Sequence, residues 1–519
     1  MTSRRAPRPA FASALLAALL AAAPALAAAD ATRERGPRGE GVVRPGGSER
    51  PATAPATILH RSPGDEPVAE LPSRPGRRAP RAEPVALRAA PGRSATSTAR
   101  GHVVVRFADG VPGWQAEQLV AGLGARALRP ARFGAFARVE VAPGDTAEAL
   151  LGRLRASRSV AWAEADPLVH AAYAGPAAVR AAAAPNAPFF SRQWHFHRIG
   201  LEEALARNPS DGAGVVVAVL DSGVAFGDGA TFPTRRGVDL EGTSFLPGFD
   251  FVDDDDQPFD EGTGDPGEIR FGHGTFTASV IAATIDNGVA GASVAPRVSI
   301  LPVRVLDTDG FGTFSGVAEG IRFAVARGAK VINMSLGGAG GSSPIAEAVA
   351  DAARAGVVLV AAAGNEAEDE AFGDELENDV AFPARYPQVL AVGATTFDDS
   401  RAAYSNFGPS LDLMAPGGGD NEEVVPGTRD GVLSTSFLFD PRTGEATYGG
   451  FWATGTSFAS PHVAGAAALL VTLGVDDPAA VRRMLEVTAS DLAAPGFDDA
   501  TAHGLLDAAA SHRGIGFTF

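Results

Sequence analysis

The C-terminal two thirds of the sequence predict an α/β fold, a doubly wound parallel sheet with helices on both faces. Continuous apolar runs of strand length recur in this part of the chain, as is typical of strands buried on both faces of a parallel sheet. Helical patterns lie between them, and glycine and proline separate the elements. The predicted strands are residues 215–220, 299–306, 331–336, 357–363 and 389–394, and two predicted helices are 316–327 and 345–355.

Length and composition set the bounds within which this fold must lie. The chain has 519 residues, which suggests two or three folded units, and 45% of them are hydrophobic, which is enough for a sizeable core. The formal net charge of −17 argues against nucleic acid as a main partner. The sequence contains no cysteine, which excludes disulfides, a lipoprotein anchor attached through cysteine, and thiolate metal sites.

Residues 1–29 have the pattern of a secretory signal peptide. Three arginines precede a short apolar stretch at residues 10–23, and an Ala-Leu-Ala sequence at 25–27 supplies a cleavage site. A membrane anchor is the alternative, but the apolar stretch is short and rich in alanine. No later stretch reaches the ~20 apolar residues that a membrane span needs. We therefore expect an exported protein, secreted or periplasmic, with no stable membrane span.

The next segment, residues 30–100, is rich in proline, arginine, glycine and alanine and has almost no aromatic residues. Such a segment cannot bury enough surface to offset its chain entropy, so we expect a disordered linker. Residues 101–173 then alternate strand and helix patterns in a β-α-β-α-β order with a possible extra strand, which predicts a small ferredoxin-like α+β domain. Its predicted strands are 102–107, 135–141 and 160–166, and its predicted helices are 115–128 and 145–157.

Residues 174–188 are rich in alanine and proline and carry no regular pattern. This composition is typical of an exposed connection that a protease can cut, and we expect processing near residues 182–186. Two further stretches, residues 366–379 and 417–451, have the character of surface insertions within the α/β region.

Three motifs in the α/β region carry residue types that nucleophilic catalysis uses. Asp221 follows the strand 215–220, the usual place for catalytic groups in open α/β sheets. His273 stands between two glycines at the start of an apolar helix. Ser457 lies in the first turn of a buried, alanine-rich helix, where free backbone N–H groups and the helix dipole favour an oxyanion. Each residue also has an ordinary alternative: a loop cap, a hydrogen-bonded histidine and a helix N-cap.

Together, in the order Asp, His, Ser, these motifs resemble the three signatures of the subtilisin-like serine proteases, or subtilases. The motifs are residues 215–224, 271–279 and 455–465, and the resemblance extends over about residues 186–519. It implies a subtilisin-like catalytic domain at 189–519. It also implies that the domain at 101–173 is an inhibitory propeptide whose C-terminal tail lies in the substrate cleft; a freestanding adaptor domain is the alternative.

The resemblance assigns a role to each catalytic residue. His273 would take the proton of Ser457 and return it to the leaving amine, while Asp221 would fix the histidine tautomer and stabilise the imidazolium. Asn365, which follows the strand 357–363, would bind the oxyanion together with the backbone N–H of Ser457. Without the other motifs, Asn365 would be interpreted as an asparagine in a turn.

The resemblance also implies a channel for an extended peptide, formed by two segments that pair with the substrate backbone. A third segment would form one wall of the pocket for the residue before the cleaved bond, and its small side chains predict a pocket open to sizeable apolar residues. The two channel segments are Gly310, Phe311, Gly312 and Ser335, Leu336, Gly337, and the wall segment is Ala362, Ala363 and Gly364.

The acidic loop at residues 250–256 clusters hard oxygen ligands of the kind that calcium requires. The resemblance implies a structural calcium at this loop, with Asp250, Asp253 and Asp255 as ligands, and a solvated acidic loop is the alternative. A second calcium site of the family fits less well. Gln193 matches one of its ligand positions, but the loop at 285–288 is shortened.

The prediction from sequence is therefore a secreted serine endopeptidase that acts on polypeptides as a monomer. It is made as an inactive precursor, is inhibited by its own propeptide and matures by self-cleavage. A catalytically silent secreted binding or scaffold protein on the same fold is the main alternative, and it would have lost at least one of the four catalytic residues. A nucleotide-binding α/β protein is less consistent, since no G-x-G-x-x-G loop follows Leu220.

Overall fold

The computed structural model describes six stretches of the chain, all within one unit of contacting residues. These stretches are residues 98–172, 175–177, 189–208, 210–367, 380–420 and 422–514. The predicted signal peptide, nearly all of the predicted linker, and most of the predicted connection and of the first insertion lie outside the described residues. Within the described stretches, no helix combines the length and the apolar character that crossing a membrane requires.

The N-terminal domain is a four-stranded antiparallel sheet with two helices. The strands lie in the order β4-β1-β3-β2. Alternate residues of the strands, such as Val103 and Val105 of β1, face the helices and form one small core. The elements are β1 (Thr98–Phe107), α1 (Gly113–Gly122), β2 (Ala127–Pro130), β3 (Ala137–Glu140), α2 (Ala147–Arg155) and β4 (Val160–Ala171).

The first helix of this domain is shorter than the sequence pattern predicts. It ends at Gly122, and Gly124 has φ +79°, a left-handed conformation that glycine adopts without steric cost and that ends the helical path. The chain then forms strand β2, so the end of the predicted helix 115–128 is a strand. The last strand β4 is longer than expected, because its C-terminal part leaves the small sheet and pairs with β11 and β13 of the large domain.

The next elements lead to the large sheet. They are β5 (Gly175–Ala177), α3 (Trp194–Arg198), α4 (Leu201–Arg207), β6 (Val216–Asp221), β7 (Ser244–Phe245), β8 (Phe249–Asp250), β9 (Arg270–Phe271), α5 (His273–Ala282), β10 (Ser299–Arg304), β11 (Phe311–Thr313), α6 (Phe314–Ala326), β12 (Val331–Met334), β13 (Leu336–Gly337) and α7 (Ser343–Arg354).

The remaining elements complete that sheet and add two hairpins and the C-terminal helices. They are β14 (Val358–Ala362), β15 (Val389–Thr395), β16 (Leu413–Pro416), β17 (Glu423–Val425), β18 (Thr428–Arg429), β19 (Val432–Asp440), β20 (Glu445–Thr454), α8 (Thr456–Thr472), α9 (Pro478–Thr488) and α10 (Ala508–Arg513).

The large sheet confirms the predicted doubly wound architecture. Its strand order is β16-β15-β14-β12-β6-β10-β7, with β8 also paired to β10, and every pairing is parallel. Alternate residues of each strand face opposite sides, so Val217 and Val219 of β6 pack with α5 and α8 while Ala218 and Leu220 pack with α6 and α7. The chain leaves β6 for β10 on one side and later returns to β12 on the other. The carboxyl end of β6 is therefore the switch point where ligands bind in open α/β sheets.

The predicted insertion at residues 417–451 forms most of two hairpins rather than irregular surface chain. Strands β17 and β18 form the first hairpin, and β19 and β20 form the second, which joins β9 and β5 in a four-stranded sheet. The second hairpin is partly buried, because Val432 and Phe451 pack into the core beside α5 and α8. Its last strand ends one residue before the Gly455 turn that begins α8.

Candidate active site

The start of helix α5 brings His273 to Asp221. The two side chains are fully buried, and His273 Nδ1 lies 2.7 Å from Asp221 Oδ1. Gly274 makes this approach possible, because a Cβ atom at this position would overlap the carbonyl oxygen of Gly223. The Asp221 carboxylate also accepts hydrogen bonds from the backbone N–H of Ser222 (2.7 Å) and from the Thr277 hydroxyl (3.3 Å). The carboxylate is therefore held in one orientation, as a group that orients a histidine must be.

A second buried carboxylate, Asp260, lies behind this pair, and the sequence analysis did not identify it. Its Oδ1 accepts from the Ser222 hydroxyl at 3.0 Å, and its Oδ2 accepts from the backbone N–H and the hydroxyl of Thr275 at 2.9 and 2.6 Å. Burial raises the pKa of Asp260 to about 6. Asp260 thus joins the loop after β6 to the first turn of α5. It lies in an irregular acidic stretch, where the sequence gives no sign of which carboxylate is buried.

Ser457 is the second residue of helix α8, and Ser335 fixes its surroundings. The Ser457 hydroxyl donates to the carbonyl oxygen of Ser335 at 2.9 Å, and the Ser335 hydroxyl donates to the carbonyl oxygen of Ser457 at 2.7 Å. The second bond compensates for Pro461, which lies inside the helix rather than at its start and has no N–H for the Ser457 carbonyl. The next residue, Phe458, places its ring 5.4 Å from the His273 ring.

Asn365 lies directly beside the start of α8. Its side-chain oxygen accepts from the backbone N–H of Thr456 (2.9 Å) and from the Thr456 hydroxyl (2.8 Å). These two donors fix the orientation of the amide, because they require an oxygen and leave the NH₂ group on the other side. The Nδ2 atom is buried and has no hydrogen-bond partner among the described residues. A buried donor without an acceptor is costly, so this amide is prepared for an oxygen that arrives with a ligand.

The C-terminal part of β4 occupies the channel that the sequence analysis predicted. It pairs antiparallel with β11 on one side and with β13 on the other, so it is the middle strand of three. The backbone N–H of Ala171 donates to the Gly310 carbonyl at 3.0 Å, and that of Ala172 donates to the Ser335 carbonyl at 3.3 Å. The backbone N–H of Ser457 then donates to the carbonyl oxygen of Ala172 at 2.8 Å.

The predicted residues of the two channel segments thus lie on either side of one extended peptide. The predicted wall segment lies beside Asn365: Ala362 ends β14, and Ala362, Ala363 and Gly364 are buried. Gly364 has φ +106° and donates its N–H to the Thr456 hydroxyl at 3.2 Å. An added Cβ at Gly364 would overlap Asn406 and Glu366, so only glycine fits at this turn.

Carboxylates of the N-terminal domain bind the first turns of two helices of the large domain. Glu164 accepts from the backbone N–H and the hydroxyl of Ser343 at the start of α7, at 2.7 and 2.8 Å. Asp166 accepts from the backbone N–H and the hydroxyl of Ser315 at the start of α6, at 3.0 and 2.6 Å. A buried acid of α6, Glu319, accepts in return from Arg138 at 2.7 Å. These contacts satisfy helix N-termini with groups from another domain.

The acidic loop at 250–256 does not have the arrangement that the calcium prediction requires. One nitrogen of the Arg304 guanidinium lies 2.7 Å from Asp250 Oδ2 and 2.6 Å from Asp253 Oδ2, where a bound cation would have to lie. The third predicted ligand, Asp255, caps its own turn by accepting from the backbone N–H of Gln257. In the described part of the chain, no group of three or more His, Cys, Asp or Glu residues could hold a metal ion.

Gln193 and the loop at 285–288, which the sequence analysis compared with a second calcium site, make hydrogen bonds within the protein. The side-chain oxygen of Gln193 accepts from Ala292 N–H at 2.8 Å. Asp239 accepts from the Asn287 amide at 2.6 Å and from Gly291 N–H at 3.1 Å, and burial raises the pKa of Asp239 to about 6. The residues at both positions therefore do not fit calcium as they are arranged.

The sequence was compared with protein families and with known proteins. The sequence profile of the subtilase family matches residues 212–504, and that of the fervidolysin N-terminal prodomain matches residues 86–166. Thermitase from Thermoactinomyces vulgaris is 36% identical over 313 residues, which are 60% of this chain and 94% of thermitase. Subtilisin NAT from Bacillus subtilis subsp. natto is 33% identical over 359 residues, which are 69% of this chain and 77% of that protein.

Two solved structures are similar to this one. A protease from Pseudoalteromonas arctica is 32% identical with a TM-score of 0.52, and the match covers 64% of this chain and 99% of that chain. Fervidolysin from Fervidobacterium pennivorans, described as a keratinolytic enzyme related to subtilisin, has a TM-score of 0.61 at 24% identity. That match covers 81% of this chain and 62% of fervidolysin, and at this identity it shows the fold alone.

Proposed function

The chain belongs to the subtilase family and is a subtilisin-like serine endopeptidase with an N-terminal prodomain, and we propose that Asp221, His273 and Ser457 form its catalytic triad. We further propose that the chain is made as a precursor that cuts itself. The observation that carries both proposals is the hydrogen bond of 2.8 Å between the Ser457 N–H and the Ala172 carbonyl oxygen. It brings a peptide carbonyl of the chain itself to the residue proposed as the nucleophile.

The proposed reaction starts with a change of hydrogen-bond partner. A hydroxyl has one proton, and Ser457 donates it to the Ser335 carbonyl in this structure. For attack, the hydroxyl turns to His273, which takes the proton at Nε2 because its Nδ1–H is held by Asp221. The oxygen of Ser457 then bonds to the substrate carbonyl carbon. His273 gives the proton to the leaving amine, and water later hydrolyses the acyl-enzyme.

Charge that develops on the carbonyl oxygen is stabilised by two donors. The Ser457 N–H already contacts the Ala172 oxygen, and the buried Asn365 Nδ2 is the second donor in the proposal. Thr456 keeps this amide oriented, since it binds the Asn365 oxygen through both its N–H and its hydroxyl. The Ser457 donor already contacts the oxygen, and in the proposal the Asn365 amide forms its hydrogen bond when the carbonyl becomes tetrahedral and its oxygen moves.

The same contacts support a proposal for the bond that is cut during maturation. The residue whose carbonyl contacts Ser457 N–H is Ala172, so we place the cut between Ala172 and Tyr173. Beyond this bond, β5 adds antiparallel to β20, so the chain is held by strand pairing on both sides of the proposed cut. The proposed cut lies upstream of residues 182–186. Processing was predicted near those residues from the composition of the connection alone.

The test compares the purified full chain with its Ser457→Ala variant. We expect the wild type to separate into two parts, with a new N-terminus at Tyr173, and to digest casein. We expect the variant to stay joined at this bond and to be inactive. The rate of self-cleavage should not depend on protein concentration, because the cut occurs within one molecule.

Other outcomes would contradict parts of the proposal. A wild type that is active but begins at another residue would contradict the assignment of the bond, although not the triad. A wild type that stays joined and inactive would contradict both, and the silent scaffold alternative would then be the one to pursue.

Secretion and a monomeric state are also part of the proposal. The composition of residues 1–29 supports export, and we expect their removal when the full gene product is expressed in a bacterial host with a secretion pathway. Light scattering on the Ser457→Ala protein tests the monomer, since this variant does not digest itself. An intact N-terminus in the exported protein, or the mass of a dimer, would contradict these two points.

Calcium stays a prediction that the described residues do not support. Arg304 already neutralises Asp250 and Asp253, so we expect the unfolding temperature of the Ser457→Ala protein to be the same in EDTA and in millimolar calcium. A ligand that binds only the folded state raises this temperature with its concentration. A clear rise with calcium would therefore show a site that the side chains reach only after rearrangement.

A further inference from the structure

The tail of the N-terminal domain places the imidazole side chain of His170 in the channel. His170 is the third residue before the proposed cut, counting Ala172 as the first. Its backbone pairs with Phe311 of β11 and with Gly337 of β13, which fixes its position between the two strands. Its Nε2 lies 3.5 Å from Glu366 Oε1, and its ring lies 6.3 Å from the Phe311 ring in an edge-to-face arrangement.

Glu366 is held so that one of its carboxylate oxygens faces this position. The residue is 8% exposed. Its Oε2 accepts from the Asn406 amide at 2.7 Å and from Asn365 N–H at 2.9 Å, and its own N–H donates to the Asn406 oxygen at 2.9 Å. Two hydrogen bonds therefore hold the side chain and a third holds the backbone, and the other oxygen, Oε1, lies towards His170.

A largely buried carboxylate is costly unless a cation or hydrogen-bond donors compensate its charge. Among the described residues, the Asn365 N–H and the Asn406 amide bind Oε2 of Glu366, and the His170 imidazole lies 3.5 Å from Oε1. When the prodomain leaves, the substrate residue at the same position becomes that neighbour. A positive side chain there is attracted to Oε1, and a negative one is repelled.

We propose that Glu366 determines specificity by favouring a basic residue at the third position before the cleaved bond. The inference rests on the proposed function, because it places substrates where the tail lies. It goes beyond that function because it names a preference for a basic residue at this position. In the chain itself, His170 occupies this position. Glu366 acts on substrate choice, since it contacts the side chain of the substrate and not the reacting atoms.

The test uses peptides with the sequence Leu-Val-X-Ala-Ala followed by a p-nitroanilide, which copy residues 168–172 with X at position 170. X is arginine, histidine, alanine or glutamate. At low ionic strength we expect kcat/KM to be about 5-fold higher for arginine than for alanine, and lower for glutamate by a similar factor, as for one partly exposed ion pair. In 1 M salt these ratios should shrink, because salt screens the attraction.

The matched variants are Glu366→Gln and Glu423→Gln. The first removes the charge and keeps an amide oxygen that can accept from Asn406, and we expect it to lower the arginine-to-glutamate ratio at least 5-fold. Each ratio is measured against the alanine peptide, so a general change in turnover through the neighbouring Asn365 does not affect it. Glu423 lies on the exposed β17 and accepts from Gly427 N–H, so its variant should keep the wild-type ratios.

A second set of variants tests the same contact from the substrate side. In the full chain, His170→Arg should cleave itself at least as fast as the wild type, and His170→Glu should be about 5-fold slower than His170→Ala. This set leaves Glu366 unchanged and remains informative if Glu366→Gln does not fold.

The outcomes separate this inference from the proposed function. Cleavage of the alanine peptide together with equal rates for arginine and glutamate would overturn the inference and leave the protease function intact. An unchanged ratio in Glu366→Gln would also overturn it, since another group would then cause the preference. Failure to cleave any peptide would overturn the proposed function itself.

Discussion

At the scale of single residues, the site depends on side chains that hold other side chains. Thr456 takes the oxygen of the Asn365 amide, which leaves Nδ2 as a donor. Ser335 supplies the hydrogen bond that Pro461 withholds from the Ser457 carbonyl, so the proline does not break the start of α8. Each of these contacts is an ordinary hydrogen bond. Their effect is to hold the proposed donors before any substrate arrives.

The Asn365 amide provides the sharpest test at this scale. In Asn365→Ala we expect kcat to fall about 10²- to 10³-fold with little change in KM, because the donor acts on charge present only in the transition state. Steady-state kinetics with the alanine peptide measure this effect. Asn365→Asp should lose at least as much, since it keeps the acceptor for Thr456 but offers no donor. A kcat close to the wild-type value in both variants would remove Asn365 from the proposed mechanism.

Ser335 gives a stability prediction at the same scale. Its hydroxyl donates to Ser457 O, and in Ser335→Ala this buried carbonyl loses the partner that replaces the missing Pro461 N–H. We expect the free energy of unfolding to fall by about 1–3 kcal/mol, the usual penalty for a buried polar group without a partner. Urea unfolding of the variant in the Ser457→Ala background measures this. No change would mean that water or a backbone shift satisfies the carbonyl.

Site residues could be predicted where a local motif marks them, but not where a contact between distant parts of the chain decides their role. Asp221, His273, Asn365 and Ser457 each lie at the end of a strand or the start of a helix, and their local sequences indicate this. The partners of Arg304 lie in a loop about fifty positions earlier in the chain, so no spacing rule connects them. The buried Asp260 is one acid among many in its stretch, and burial is decided by the packing of α5.

At the scale of elements, the first residues of the catalytic domain are anchored to helix α8 through two histidines. His195 of α3 and His462 of α8 are fully buried, with Nδ1 of the first 2.8 Å from Nε2 of the second. Burial lowers the pKa of His462 to about 4. Burial, followed by the charge of His462, holds the pKa of His195 well below its usual range. Both rings are therefore neutral at physiological pH, and one proton lies between them.

The lowered pKa of His462 predicts how the free energy of unfolding depends on pH. The folded pKa of His462 is lower than the ordinary value of 6.5, so the unfolded state binds more protons between pH 6.5 and 4. The stabilisation is complete above about pH 6.5 and is lost as the pH falls toward 4. For His462 the loss is about 3 kcal/mol. We expect Ser457→Ala to show this loss in urea unfolding, and His462→Gln in the same background to show a smaller one.

The reference is the Ser457→Ala protein with both buried histidines intact. Equal slopes for this protein and for His462→Gln in the same background would show that acid unfolding begins with other groups.

The elements themselves were predictable to different degrees. The strands of the large sheet follow their apolar runs closely, because burial on both faces makes these runs continuous. The hairpin β19–β20 was expected only as a surface insertion. Its buried residues, such as Phe437 and Trp452, are separated by exposed and glycine-rich positions, and the sheet it joins includes β9, far away in sequence. Long-range pairing of this kind leaves no local pattern.

At the scale of the whole molecule, the N-terminal domain contacts the catalytic domain in two ways. Its tail fills the channel by strand pairing, and its acids Glu164 and Asp166 satisfy the first turns of α7 and α6. The sequence suggested the domain and its tail, but it could not give the register that brings Ala172 to Ser457. That register follows from where β4 leaves its own sheet, which is a property of the folded pair of domains.

The helix contacts lead to a prediction about release of the prodomain. Each carboxylate bond to a helix N-terminus is charge-assisted, and such a bond contributes about 1.5–3 kcal/mol. After the proposed self-cleavage, the prodomain stays bound and blocks the channel until it dissociates. In Glu164→Ala we therefore expect release to be roughly 10- to 100-fold faster, which shortens the lag before casein hydrolysis begins. The matched control is Glu148→Ala, an exposed acid on α2. A lag in Glu164→Ala equal to that of the control would mean that strand pairing of the tail, and not the helix contacts, limits release.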